Sequence, residues 1–188
     1  MVCIILSETE RVTGNIYCPR SPVDNTILSD NITPENWIIE NGVALVAQQS
    51  WLQNASIRDN ILFGLPYHEA RYVQVVKMCA LEKDLDMFED GDLTEIGEKG
   101  LTLSGGQKQR VALARAVYSR ARHILLDDVL SAVDAHTAMH LMSECIMGPL
   151  MTDRTRILVT HHVNLCLPSA SYLVRALGCQ PFFFRIDV

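Results

Sequence analysis

Residues 101–117, LTLSGGQKQRVALARAV, join a Gly-Gly pair directly to an amphipathic helix with a Lys and an Arg near its start. No other stretch constrains the chain as much. A helix that opens on two glycines presents free amides at the positive end of its dipole, and such an opening suits an anion. Ser104 stands where an N-cap hydroxyl or a phosphate-binding hydroxyl belongs, and the amides of Gly105, Gly106 and Gln107 follow it. A chain that grips a nucleotide's phosphates by itself normally carries a glycine-rich loop ending in Gly-Lys-Ser or Gly-Lys-Thr. Here the four lysines are Lys77, Lys83, Lys99 and Lys108, and none follows a glycine. The open question is whose phosphate the Gly-Gly turn meets.

The 188 residues, 48% apolar and 20% charged, suffice for one soluble domain with a real core. A net charge of −6 argues against a nucleic-acid surface, since the basic run Lys108, Arg110, Arg115, Arg120 and Arg122 is expected to be a solvated helix face. The six cysteines form no C-x-x-C pair, which fits reduced thiols in a cytosolic setting, mostly as small core residues. No apolar run reaches the roughly 18 to 20 residues of a membrane-spanning helix.

Val2 to Leu6 is an apolar stub with no cap before it, so the element it belongs to is expected to start ahead of Met1. RVTGNIYC alternates like a strand, and the Pro-, Asn- and Asp-rich residues 19–42 read as a surface excursion. Val43 to Gln48 reads as a buried strand. Ser56 can cap a helix running to Phe63 that Gly64-Leu-Pro ends, and a longer helix is expected from His68 to about Phe88 with Ala70, Val73, Val76, Ala80, Leu81 and Leu85 on one side. After the Gly-Gly helix come a buried strand HILLD, a helix from about Ala135 to Met147 and a second buried strand RILVT. Alternation of strand and helix gives an α/β fold with a mainly parallel sheet and ligand chemistry at the strands' carboxyl ends.

Three further groups of residues carry chemistry. HILLDDVLSAVD ends a strand in two carboxylates: Asp127 can hold Mg²⁺ through water, and Asp128 can orient an attacking water or accept its proton. His161 emerges from the end of RILVT, where a histidine can contact a γ-phosphate. Gln48, at the end of VALVAQ, offers an amide to a metal ion or a water. Alone, each has a bland reading: an acidic turn, an exposed loop histidine, a polar strand end.

Taken in order, these pieces resemble the nucleotide-binding domain of ATP-binding cassette (ABC) transporters, a partial P-loop NTPase fold with a helical signature subdomain. LSGGQKQR resembles the ABC signature, HILLDD the Walker B strand, SAVD the D-loop, VTHH the switch histidine, and VAQQSWLQNASIRDNILFG the Q-loop with its helix. The resemblance runs from about Ser7 to Val174. Its wording is most similar to the first such domain of the multidrug-resistance-associated subfamily, and ARYVQVVKMCALEKDLDMFEDGD with CIMGPLMTDRTRILVTH is similar to fungal vacuolar, bile-acid-transporter-like members. The implied layout is a partial ATPase core with the Q-loop over 1–52, a helical subdomain over 53–122, the core's return over 123–174 and a divergent tail over 175–188.

The resemblance implies ATP and Mg²⁺ as cofactors, Asp128, His161 and Gln48 as catalytic residues, and Asp127 and Gln48 as metal ligands. It places Ser104, Gly105, Gly106, Gln107 and Asp134 on ATP. In the family two such domains sandwich ATP head to tail, so the Gly-Gly turn would meet the γ-phosphate of an ATP held by a second nucleotide-binding domain. Transmembrane domains would dock near the Q-loop and Glu95 to Lys99, placing the chain at the cytosolic face of a vacuolar or plasma membrane. IILSE is similar to the tail of the helix that follows the Walker A loop, so that loop would lie before Met1 and the chain should bind ATP poorly on its own. Asp128 stands where a catalytic glutamate is usual. Its carboxylate is shorter by roughly 1.5 Å, and a misplacement of about 1 Å can cost on the order of 100-fold in rate.

Three other readings stand beside this one. The chain could be a non-enzymatic module that docks on another ABC subunit, an ABC-type ATPase acting on DNA, or a degenerate gene product with a mistaken start. The acidic charge and the lack of coiled coil put the DNA reading far behind. The tail's Phe182-Phe183-Phe184 run departs from the family and reads as a frayed or spliced end.

Overall fold

A computed structural model describes residues 32–33, 36–97, 102–175 and 182–186. The expected strand RVTGNIYC and the excursion up to residue 31 lie outside the described residues.

Among the described residues the sheet has five strands. Strands β1 (Ile39–Val46), β2 (Ala121–Asp127) and β3 (Thr155–Thr160) run parallel, with Val46 beside Leu126 and Asp127 beside Val159. Their side chains explain the arrangement: Ile124, Leu125, Leu126, Leu158 and Val159 are buried, as parallel strands covered on both faces require. Beyond β3 the sheet turns antiparallel. Strand β4 (Tyr172–Arg175) pairs with β5 (Phe182–Ile186), and β5 pairs with β3 from Thr160 opposite Phe182 to Arg156 opposite Ile186. The expected frayed tail is therefore a strand of the sheet. β1 starts and ends earlier than the apolar run indicated, and just past its end the Ala47 carbonyl accepts from Gln109 Nε2 at 3.3 Å.

Helix α1 (Ile57–Leu62) begins where its cap dictates: Ser56 Oγ accepts from Asp59 N at 3.0 Å, and Phe63 ends the helix in a left-handed conformation at φ 47°. The long helix expected from His68 is broken in two. α2 (Glu69–Met78) and α3 (Glu82–Asp86) are separated by Ala80 at φ 53°, whose carbonyl accepts a hydrogen bond from Arg110. The buried side is also rotated from the expected one. Tyr72, Val75, Val76 and Met78 face inward, while Ala70 and Val73 are exposed.

Helix α4 (Gly105–Tyr118) is the spine of the molecule, with Val111, Leu113, Ala114, Ala116, Val117 and Tyr118 buried. Its C-terminal carbonyls, which no helical amide can reach, are taken by side chains from elsewhere. Arg71 donates to the Val117 carbonyl at 2.9 Å and Arg154 donates to it at 3.1 Å. Arg154 also reaches the Ser119 carbonyl at 2.9 Å, and Trp37 Nε1 reaches that of Tyr118 at 3.0 Å. Burial pulls the Arg154 guanidinium down to about 9, still charged at neutral pH, so buried cations sit on the negative pole of the helix dipole.

The basic run is therefore no solvated face. Arg110, Arg115 and Arg120 each hold backbone carbonyls of other segments, Ala80, Asn60 and Trp37 respectively, and of the five Lys108 alone is exposed. After β2, helix α5 (Ala135–His140) passes into a π-helical stretch, Leu141–Ile146, instead of continuing as a regular helix to Met147. A short helix α6 (Val163–Cys166) follows β3. Among the described residues no helix is long and apolar enough to cross a membrane.

Candidate functional site

The first turn of α4 is built as a closed capping box. Ser104 Oγ accepts from Gln107 N at 3.2 Å, and Gln107 Oε1 accepts from Ser104 N at 2.9 Å. The Gln107 amide is then held from behind, its Nε2 donating to Asp84 Oδ1 at 2.9 Å, while Arg110 forms an ion pair with the other oxygen of Asp84. Asp84 is buried on α3, a short helix with no glycine, histidine or repeat to mark it, so no local pattern points to its part in this turn.

The two glycines do different things. A β-carbon on Gly106 would stand 2.7 Å from the Ala132 carbonyl oxygen, so Gly106 lets the helix approach the loop after β2. One on Gly105 would meet nothing within 4 Å. Ser104 and Gly105 are exposed, and the side of the turn they form is open. A turn that leads with the Gly105 and Gly106 amides and an exposed hydroxyl, and has a glycine that packing among the described residues does not demand, suits an anionic group from outside.

The parallel strands bring a second set together at their carboxyl ends. Gln48 lies exposed two residues past Val46, Asp127 closes β2 in register with Val159, and His161 follows β3 on the same edge of the sheet. Asp128 sits beside them at φ 52°, a left-handed conformation that Asp tolerates better than most residues. Two contacts fix it: its N donates to the Val159 carbonyl at 2.9 Å, and its own carbonyl accepts from Ser131 Oγ at 2.8 Å. Asp128 Oδ1 is buried with no hydrogen-bond partner, a costly state that an external donor would relieve. Among the described residues no group of three or more His, Cys, Asp or Glu is arranged to hold a metal ion. Mg²⁺ fits such a site nonetheless, since it is usually held by one or two carboxylates together with phosphate oxygens and water.

Asp134 caps α5. Its Oδ1 accepts from His136 N and Thr137 N, each at 3.0 Å, and its Oδ2 accepts from Thr137 Oγ1 at 2.7 Å. The Thr137 hydroxyl and then its amide hold this carboxyl below its ordinary range.

One residue joins the two sets. Gln109, buried on α4, donates to the Ala47 carbonyl and accepts from Ser50 Oγ, so it grips both ends of the turn that carries Gln48. The sequence offered only its place on the inner face of the helix. Arg115, one helical stripe further on, donates to the Trp51 carbonyl at 3.1 Å and lies over the Trp51 and Phe63 rings at 5.5 and 4.7 Å.

Comparison with known proteins identifies the family. The ABC transporter family matches residues 1–131. The chain is 50% identical over 174 residues to ABC transporter 7 of Pyricularia oryzae, covering 93% of this chain and 10% of that protein. It is 49% identical over 175 residues to the ATP-dependent bile acid permease of Saccharomyces cerevisiae, with the same coverage. It is 45% identical over 172 residues to ATP-binding cassette sub-family C member 3 of Mus musculus, covering 90% of this chain and 11% of that protein. The chain thus spans about a tenth of the length of these relatives. With a capped Gly-Gly helix, two carboxylates ending a central parallel strand and relatives of this kind, the chain belongs to the ABC transporter family.

Proposed function

We propose that this chain is the ATP-binding region of a sub-family C type exporter and that its Gly-Gly turn acts in trans. Ser104, Gly105, Gly106 and Gln107 form the turn that meets the γ-phosphate of an ATP held by a second nucleotide-binding domain in a head-to-tail dimer, the Ser104 hydroxyl and the Gly105 and Gly106 amides donating while Gln107 holds the turn closed. Asp134 of the adjoining loop reaches the same interface. The observation that carries this reading is the open side of the α4 turn: its glycine and hydroxyl face outward while Asp84 and Arg110 lock it from within.

On the chain's own sheet edge, Asp127 and Gln48 would hold Mg²⁺, which supplies charge neutralisation at the phosphates. Asp128 would orient the attacking water and His161 would contact the γ-phosphate. The sequence contains no Gly-Lys-Ser or Gly-Lys-Thr loop, so this edge is weak or inactive by itself. Membrane domains of the transporter dock near Gln48 and Glu95, and transport belongs to that assembly at the cytosolic face of its membrane.

The test is binding of a fluorescent ATP analogue with Mg²⁺, first to the chain alone and then with a nucleotide-binding domain that carries its own phosphate loop. Weak binding alone, and a gain on mixing that Ser104→Arg removes, is the expected result. Micromolar binding by the isolated chain would overturn the reading. A second reading, a purely non-catalytic partner of another ABC subunit, gains from the shortened Asp128 carboxylate. It requires that Asp128→Asn leave the ATPase rate of the mixture unchanged.

A further inference from the structure

Cys79 and Cys145 lie 66 positions apart in sequence, yet their sulfurs are 3.7 Å apart and both residues are fully buried. Cys79 ends α2, just before the left-handed Ala80. Cys145 lies in the π-helical stretch, where Met147 N reaches back five residues to the Met142 carbonyl at 3.0 Å. π-turns are rare and cost helical regularity, so one that brings a thiol onto another thiol calls for a reason. A cation is also at hand. Arg110 holds the carbonyl of Ala80 and acts on the Cys79 thiol, and its Nε is buried with no hydrogen-bond partner.

We propose that Cys79 and Cys145 are a reversible dithiol/disulfide pair, oxidised by a small peroxide, that staples the end of α2 to the helix that begins at Asp134. One thiolate attacks the peroxide: an S–O bond forms, the O–O bond breaks, and the departing hydroxide takes up a proton as water. The second thiol then attacks that sulfenic sulfur: the S–S bond forms, the S–O bond breaks, and hydroxide leaves with the second thiol's proton as another water. The pair loses two electrons and the peroxide gains them. A disulfide bond is about 2.05 Å long, so the sulfurs close the gap with a small local shift.

Burial holds the Cys79 thiol well above its ordinary range in the closed molecule, so oxidation proceeds through brief openings of the α2 end. Arg110 then stabilises the wetted thiolate. The staple acts on both phosphate-facing edges: Ala80 and Asp84 hold Arg110 and Gln107 on one side, and Asp134 starts the stapled helix on the other. The chemistry stands whether or not the proposed trans action does, because its test reads sulfur and stability alone.

The test treats the native chain with hydrogen peroxide, blocks remaining thiols under denaturing conditions and maps the peptides by mass spectrometry. The expected result is a Cys79–Cys145 linked peptide that dithiothreitol reverses, with Tm raised by about 5 °C in the oxidised form. Cys166, also buried but with its thiol pushed up to about 11 and no sulfur beside it in this contact, stays out of the link, and Cys166→Ala leaves the link intact. Cys79→Ala and Cys145→Ala each abolish it. Unlinked thiols at both positions, a link from either to another cysteine, or irreversible sulfonic acid in the wild-type chain would overturn the proposal, and none of these readings depends on the variants folding.

Discussion

Gly106 and the Ala132 carbonyl approach so closely that a β-carbon on the glycine would stand 2.7 Å from the oxygen, inside any normal contact. Gly106→Ala must therefore push the start of α4 away from the loop after β2. A loss of about 1 to 3 kcal/mol is expected from that overpacking, measured by urea unfolding. Gly105→Ala meets open space, so its stability stays level or rises by up to about 1 kcal/mol. If nucleotide-dependent pairing is lost in Gly105→Ala while stability is kept, the open side of the turn is a contact surface.

Asp84 holds both Gln107 and Arg110 with little exposure to water, the Arg110 and Asp84 side chains being 15% and 11% exposed. Asp84→Ala strands a largely buried guanidinium and should cost about 3 kcal/mol. Asp84→Ala and Arg110→Met together should cost clearly less than the sum of the two singles in a double-mutant cycle of unfolding free energies. Additive losses would mean that the pair does not act as a unit.

Arg154 offers a comparable case at the other end of α4. Replacing it with Met leaves the Ser119 and Val117 carbonyls short of donors and should cost about 2 kcal/mol. Because Arg71 donates to the same Val117 carbonyl, the two losses should couple, which the combined Arg71→Met and Arg154→Met variant would read by thermal unfolding.

The Asp134 carboxyl is held down by the Thr137 hydroxyl and amide, so its folded pKa lies below its ordinary value of 3.8. A carboxyl with a depressed folded pKa adds stability that is present above the unfolded value and fades as pH falls through the folded one. As pH falls below about 4, Asp134→Asn should flatten the fall of stability with acid relative to the wild-type chain. An unchanged acid limb would mean that the cap bonds to Thr137 do not persist in solution.

Much of this architecture could be read from residue pattern because local signals and tertiary demands agree there. Ser56 and Ser104 cap the helices they precede, and the apolar runs HILLD and RILVT become β2 and β3 with their polar ends on one sheet edge. The break after Cys79 was not legible: Ala80 carries no turn preference, and its left-handed backbone is held by Arg110 from 30 positions away. The same holds for Asp84 and Gln109, whose roles come from partners distant in sequence. The basic run misled because spacing along a helix shows which residues share a face, not that carbonyls of Asn60, Trp37 and Ala80 wait opposite it.

The first measurement to make is association of the chain with a phosphate-loop-bearing nucleotide-binding domain by analytical ultracentrifugation, with and without ATP and Mg²⁺, using a hydrolysis-deficient partner. Action in trans requires a heterodimer that forms only with nucleotide and is lost in Ser104→Arg. A heterodimer equally populated without nucleotide, or one indifferent to Ser104→Arg, would contradict it.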